Sequence, residues 1–402
     1  MAVLGSTSLT RTVTIEPRNV QFVASYNWVD SETQPTILVP GSPPEWLNKP
    51  FPYHIPYDHG VQISSHSYAR MGPAASPLLP LFRAADVLSA STTDVVDAVD
   101  WPEVDVVTDR KVLRNLLRWL RAPSIASSYY HPDQDVEFRV DIQLAGKKTL
   151  LLHPWDAFIW EDVGPESHTG RGVGFEREST SPGLGCERGE SHHRVVRYDM
   201  GGLNFVVSSE VDACIAPQAR QSEASAQSSP STPDSPLPPP PHTADCAVPR
   251  ARVTSTADIA VLRAGAVVPH DRVVELKTRS LWETPFQYHW PELYPQMALS
   301  HTHNLFVARH AEGEFRELDR HTLDQPHFRQ AGAHPRMQEQ LRQLVAVLRR
   351  VQRLAQAHAG GRGRLALVCR DGKVGLFEQT GCGGLALQEE DLKRFGRLGS
   401  SL

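Results

Sequence analysis

Cysteine is scarce in this chain and unorganised. Cys186, Cys214, Cys246, Cys369 and Cys382 are scattered over 402 positions, and no CxxC pair occurs. That pattern excludes a zinc ribbon and a disulfide framework and reads as free thiols. Long apolar runs are also missing. The stretch 203–207 is interrupted by Asn204 and falls far short of the roughly 20 residues that a bilayer-spanning helix needs. The opening MAVLGSTSLTRTV lacks the basic start and apolar core of a secretory signal. The expectation is an intracellular protein with no membrane association. Nor is there an excess of positive charge: 41 Lys and Arg against 46 Asp and Glu leave a net −5. This argues against a broad coat for long nucleic acid but leaves room for a locally basic cleft that holds a strand end. No internal repeat is visible.

What is present points to an α/β chain. Hydrophobic residues make up 40% of it, enough for a large core. Residues 1–60 are dense in turn signals, with Pro40-Gly41 closing a short extended segment, and are expected to wrap a core rather than form one. A helix is predicted after Asp109, where Leu113, Leu116, Leu117 and Leu120 recur three and four apart, with Lys111, Arg114 and Arg118 toward solvent. Strands are predicted at 136–144 and 150–152. A hairpin follows at 194–198 and 203–215 around Gly201-Gly202, and further strands at 258–262, 272–277 and 304–308. Residues 162–190 read as loop apart from 172–176. Helices are expected at 292–300 and 335–357, and a hairpin at 364–378 turning at Asp371-Gly372. Residues 218–249 are rich in Ser, Pro and Ala. They cannot offset their ordering entropy by burial, so they read as a disordered insertion within one catalytic-type domain. A spacer is the plainer reading of its proline run than an SH3 or WW ligand.

Three short segments carry the chemistry. In Glu210-Val211-Asp212, residues two apart on a strand project to one face, so the two carboxylates stand together. Packed at the end of an apolar strand they repel, and a bound cation removes that penalty. In Glu275-Leu276-Lys277 the acid and the ammonium likewise share a face. Acid-x-Lys on a strand suits metal-dependent phosphoryl chemistry: the acid holds Mg²⁺ or Mn²⁺ and the lysine orients water or offsets charge on the phosphate. The third segment is Gly172-Val173-Gly174-Phe175-Glu176. Asp212 and Glu275 stand 63 positions apart; without the 32 residues of the insertion, 31 remain, enough for strand, connection and strand. Taken singly, the first two segments read as surface salt bridges or strand-end acids, worth little, and the third as ordinary loop. Asp258 competes with Asp212 as the partner acid. His301 and His303 could suggest zinc, but lack a third ligand at useful spacing. Asp94-Val95-Val96-Asp97 does not make an aspartate-rich prenyl-diphosphate motif.

In combination these segments resemble the decapping exoribonuclease family. Val106-Val107-Thr108-Asp109-Arg110 is similar to its arginine motif. The order of arginine, Gly-hydrophobic-x-hydrophobic-Glu, Glu-x-Asp and Glu-x-Lys is kept over about residues 100–310. The remainder looks like a poorly characterised fungal branch. The resemblance implies two central mixed β-sheets flanked by helices, a nuclease-like core with an acidic pocket between the sheets. It implies metal ligation by Glu176, Asp212, Glu275 and the Leu276 carbonyl, with Glu210 reaching the ions directly or through water. Lys277 is implied at the attacking water or scissile phosphate, Arg110 on substrate phosphate, and Gln296 at the site, although Pro295 disturbs the register there. Arg194 and Arg197 are candidates for the substrate route.

The activity implied is hydrolysis at RNA 5′ ends with two Mg²⁺ or Mn²⁺ ions: removal of incomplete or non-canonical caps, pyrophosphate or an NAD cap, with 5′→3′ exoribonuclease activity. The partners implied are an RNA 5′ end or capped nucleotide and an exonuclease protein, in the nucleus or the cytoplasm, with the nucleus put first. The alternatives are a nuclease or nucleotide hydrolase on another substrate, and a non-catalytic scaffold for an RNA-processing partner.

Overall fold

The computed structural model describes residues 14–29, 31, 34–58, 76–90, 98–121, 137–155, 170–217, 259–282, 289–358, 364–379 and 386–396. It also gives the backbone of short strands at 2–3, 62–64, 160–162 and 252–253. The strands used below are β1 Arg18–Val29, β2 Thr36–Gly41, β3 Val106–Asp109, β4 Phe138–Ala145, β5 Thr149–Trp155, β6 Gly189–Met200 and β7 Leu203–Val211. They continue with β8 Ala213–Cys214, β9 Ala260–Gly265, β10 Val273–Ser280, β11 Asn304–Ala311, β12 Glu314–Thr322, β13 Arg364–Arg370 and β14 Lys373–Glu378. The helices are α1 Leu79–Ser89, α2 Arg110–Leu120, α3 Gly172–Ser179, α4 Trp290–Ser300, α5 Pro326–Ala333 and α6 Pro335–His358.

Two mixed β-sheets flanked by helices form the core. The larger sheet runs 2–3, β14, β13, β4, β5, β3, β7, β6, β1, β2, β9, 252–253. The smaller runs 180–181, 45–46, β8, β10, β11, β12, 53–54. Both faces of the larger sheet are covered. Val106, Leu150, Leu152, Val196, Phe205 and Val207 pack toward α2, α4 and α6. Their neighbours Val107, Leu151, Val195 and Val206 pack toward α1 on the other face. Strands buried on both faces read as continuous apolar runs, and that is how these segments look in sequence. β11 alternates, sending Leu305 and Val307 to the first core and Phe306 and Ala308 to an aromatic cluster with Trp46, Phe175 and Phe315.

Local sequence signals account for most connections. Gly201 and Gly202 turn β6 into β7 with φ of 59° and 75°. A Cβ at Gly201 would lie 2.8 Å from Val345 Cγ2, so glycine is what allows α6 to pack on this turn. Asp371 and Gly372, both at positive φ, close β13 on β14. The Asp109 side chain caps α2 by accepting from Lys111 N at 2.6 Å.

Several expectations need correction. Residues 1–60 do more than wrap: β1 and β2 lie inside the larger sheet, and Val23, Trp28, Ile37 and Val39 are buried there. The segment 172–176, set apart from the expected loop, belongs to a helix that runs on to Ser179, and β6 already begins at Gly189. The segment 203–215 is not one strand. β7 ends at Val211 and β8 begins at Ala213 in the other sheet, so the chain changes sheets at Asp212. The insertion 218–249 and the competing acid Asp258 lie outside the described residues, as do Val136, Cys246 and Cys382; Cys186, Cys214 and Cys369 are buried thiols.

His192 on β6 is fully buried. Asn27 Oδ1 accepts from Ser42 N, so it must also accept from His192 Nδ1 at 2.9 Å, which fixes the tautomer. Burial, then Arg194 and His193, hold its ionisation well below the ordinary histidine range. Protonation therefore costs more in the folded chain than in the unfolded one. Stability should be full at neutral pH and fall as pH drops below about 6.5. Thermal melts from pH 7.5 to 5 should show this fall, and His192→Gln should flatten it; an equal slope in both would refute the assignment.

Candidate metal and phosphate site

The two sheets meet where β7 passes into β8, and the carboxylates gather there. β8 pairs antiparallel with β10, Ala213 opposite Val274, which sets Asp212 against the start of Glu275-Leu276-Lys277. Asp212 Oδ2 accepts from Leu276 N at 2.7 Å. β3 runs parallel to β7 with Asp109 beside Ser208, so Arg110, the next residue, leaves the sheet level with Ser209, one position before Glu210. Glu210 is exposed, whereas Asp212 is half-buried. The Glu-x-Asp pair thus spans from solvent to the sheet junction.

Glu275 is the centre of the cluster, with 2% of its surface exposed. Its Oε1 accepts from Lys277 Nζ at 2.5 Å and from Gln296 Nε2. Its Oε2 accepts from Arg110 Nη1 at 2.9 Å, and the same nitrogen reaches Ser300 Oγ at 3.3 Å. Lys277 Nζ also donates to the Leu276 carbonyl at 3.0 Å. Gln296 is presented by α4, which stays helical through Pro295. Pro295 has no N–H for the Pro291 carbonyl, and Arg121 Nη2 fills that place at 3.3 Å.

Glu176 arrives on α3. Phe175 anchors this helix, its ring 4.8 Å from Phe315 and 5.9 Å from Trp46. Asp58 caps it, accepting from Val173 N at 3.1 Å and Gly174 N at 2.8 Å. A Cβ at Gly174 would lie 2.8 Å from Ile55 and 3.0 Å from Asp58, so glycine at the middle of the motif makes room for the cap. Asp58 was not singled out from sequence. It stands 115 positions before Val173, and no local pattern links them.

The acids sense one another. Burial, and then Asp212, raise the Glu176 carboxyl well above the usual range, with Glu210 and Glu275 adding and Lys277 opposing. Burial and Glu275 push Asp212 up to about 7. Burial would raise Glu275 too, but Lys277 and Arg110 hold it down to about 2. The sequence-predicted residues Glu176, Glu210, Asp212, Glu275 and Lys277 therefore share one electrostatic environment, joined by Arg110 and Gln296. Arg194 does not join them. Its guanidinium donates to the Val268 carbonyl at 2.6 Å and contacts His270, over the Phe22 ring.

The donor set has the chemistry of a hard divalent cation site, carboxylates plus the Leu276 carbonyl. Lys277 Nζ already rests against two of those oxygens, Glu275 Oε1 and Leu276 O, as a cation would. In this side-chain arrangement, no group of three or more His, Cys, Asp or Glu among the described residues is spaced to hold an ion. The donor types fit; Glu275 is closed by its own cations.

A family model for a domain of unknown function (DUF8563) matches residues 7–372. The chain belongs to this family. No curated protein matches the sequence of this DUF8563 chain. Its fold is that of solved fungal decapping-exonuclease proteins, as the motif order leads one to expect. Scheffersomyces stipitis Rai1, in complex with 3′-NADP⁺ and a calcium ion, matches with TM-score 0.56 at 11% identity, covering 98% of this chain and 99% of that one. Candida albicans Rai1, in complex with pU5 and Mn²⁺, matches with TM-score 0.51 at 12% identity over 98% and 99%. K. lactis Dxo1, in complex with manganese, matches with TM-score 0.50 at 9% identity over 94% and 95%. At such identities the likeness is one of fold.

Removing one partner of a buried ion pair leaves an uncompensated charge, at a cost of about 3–5 kcal/mol. Arg110→Met should destabilise the chain on that scale. Glu275→Gln in the Arg110→Met background should recover part of the loss, a coupling readable by urea titration of the four-member cycle. Strict additivity would show that the pair is not coupled.

Proposed function

We propose that the chain is a metal-dependent phosphohydrolase acting on RNA 5′ ends, removing incomplete or non-canonical caps, pyrophosphate or an NAD cap, with 5′→3′ exoribonuclease activity at the same site. The observation that carries this reading is the convergence of Arg110, Lys277 and Gln296 on buried Glu275, beside Asp212 and Glu176. The motif order and the shared fold support it. So do the ligands of the similar proteins: a 3′-NADP⁺ with calcium in one Rai1, pU5 with Mn²⁺ in another.

In this reading the junction between the sheets is an acidic pocket. Glu176, Asp212, Glu275 and the Leu276 carbonyl hold Mg²⁺ or Mn²⁺, two ions in all, and Glu210 reaches them directly or through water. Bound there, such ions polarise a phosphoryl oxygen and acidify water. Gln296 keeps Glu275 in place. Lys277 turns from Glu275 to the attacking water or the scissile phosphate. Arg110 grips substrate phosphate, a task suited to its planar fork. Arg194, tied to Val268 and His270, receives no substrate role. An exonuclease partner and a nuclear location belong to the same reading.

Two measurements test it. Purified protein with Mn²⁺ should release cap or nucleotide from at least one of 5′-triphosphorylated, GpppN-capped, NAD-capped and monophosphorylated RNA. Asp212→Asn and Lys277→Ala should each lose about 10²-fold or more. Inactivity of wild type on all four would favour the scaffold reading. Independently of turnover, Mn²⁺ should raise the melting temperature of wild type, by an amount equivalent to about 2.7 kcal/mol at 100 times Kd. Glu176→Gln/Asp212→Asn should lose that response; an equal rise in the variant would place the ion elsewhere.

A further inference from the structure

The carboxylate site leaves the outer arginines of α2 unexplained. Arg110, Arg114 and Arg118 recur at four-residue intervals, which stacks them on one side of the helix, and Arg121 follows as its C-cap. A four-residue step advances about 6 Å along the axis, commensurate with successive phosphates of an extended strand. Arg110 sits on Glu275. Arg114 lies between two acids, Glu275 and Glu292, and burial, together with Arg110 and Arg118, pushes its ionisation down to about 10. Three guanidinium groups crowd the one Glu292 carboxylate: Arg114 Nη2 at 4.0 Å, Arg118 Nε at 3.5 Å and Arg121 Nη1 at 2.5 Å. On β10, Arg279 follows Lys277 by two positions, and Arg121 and Arg279 both act on His289. Cations at the C-terminal end of a helix gain about 0.3–1 kcal/mol from its dipole. That gain accounts for Arg118 and Arg121 as surface charges, but not for Arg114, half-buried in mid-helix with Arg110 and Arg118 beside it as well as the two acids.

We propose that this side of α2 is a phosphate track, in which Arg114, Arg118 and Arg121 bind the internucleotide phosphates of a single-stranded RNA whose 5′ end lies at Glu275. The inference rests on the reading of the carboxylate site as an RNA 5′-end hydrolase, and it adds where the rest of the strand goes. Each phosphodiester supplies one negative charge and paired acceptor oxygens, matching the guanidinium fork. Glu292 holds the three side chains in line.

The test is equilibrium binding without divalent metal. The full chain is titrated with 5′-monophosphorylated RNA of one, two, three and five nucleotides, and with DNA of the same lengths. Wild-type affinity should rise with length, and log K should fall with log salt more steeply by about 0.7 for each phosphate engaged. Arg118→Gln should weaken the pentanucleotide about tenfold, with a loss that grows with length, and Arg114→Gln should do the same. Arg118, with 42% of its side chain exposed, can be changed without opening the core. A pentanucleotide bound no tighter than a mononucleotide would overturn the track. So would variants that lower only the melting temperature and keep the wild-type length dependence. DNA bound more tightly than RNA would overturn the assignment to RNA. If RNA binds with the expected length dependence but is not cleaved when Mn²⁺ is added, the track stands and the hydrolase reading falls.

Discussion

A buried carboxylate dictates the architecture of this site. Glu275 is taken almost entirely out of water, and an ion in that position costs several kcal/mol unless its oxygens are answered. They are answered from three directions: Arg110 at the start of α2, Lys277 on the same strand, and Gln296 on α4. None of the three could shift far without another cation or donor taking its place at the charge. The mutual placement of α2, α4 and β10 is therefore tied to one side chain, and so is the junction of the two sheets.

That junction explains why acids tolerate one another here. Asp212 sits where the chain leaves one sheet for the other, outside the regular ladder of either. Its Oδ2 is steadied by Leu276 N, while burial and Glu275 resist its ionisation. Glu176 is brought in from the side by a two-turn helix that an aromatic cluster and Asp58 hold rigid. Lys277 provides the compensation, spanning Glu275 Oε1 and the Leu276 carbonyl. A flexible ammonium can leave those oxygens to a harder cation, which a guanidinium fixed in two contacts does less readily.

Much of this was legible in the sequence, for identifiable reasons. The hairpin at Gly201-Gly202, the leucines of α2 and the long amphipathic α6 are local patterns, and local physics decides them. Glu-x-Lys was legible because strand alternation puts the pair on one face of β10, whereas Glu-x-Asp was legible only as two neighbouring acids, since Asp212 lies beyond the end of β7. What could not be read depends on contacts far apart in the chain. β1 and β2 lie among turn signals and become core only because β6 and β9 flank them. The change of sheets at Asp212 has no local signature, since Val211 and Ala213 suit either ladder. Asp58 reaches α3 across more than a hundred residues. Pro295 looked disruptive because the arginine that answers the freed Pro291 carbonyl comes from α2.

Charge was the least legible quantity. A net −5 describes the chain as a whole, yet fields act over a Debye length of about 10 Å at 0.1 M salt. Carboxylates gather at the sheet junction, and arginines line α2 leading away from it. In sequence Arg114 reads as a solvent-facing residue of an amphipathic helix. In the fold α4 lies against α2, and Arg114 turns to Glu275 and Glu292 instead. In the proposed reading, an acidic site that takes cations, adjoined by a basic line that takes phosphates, is the charge order of a 5′-phosphorylated strand threaded end first.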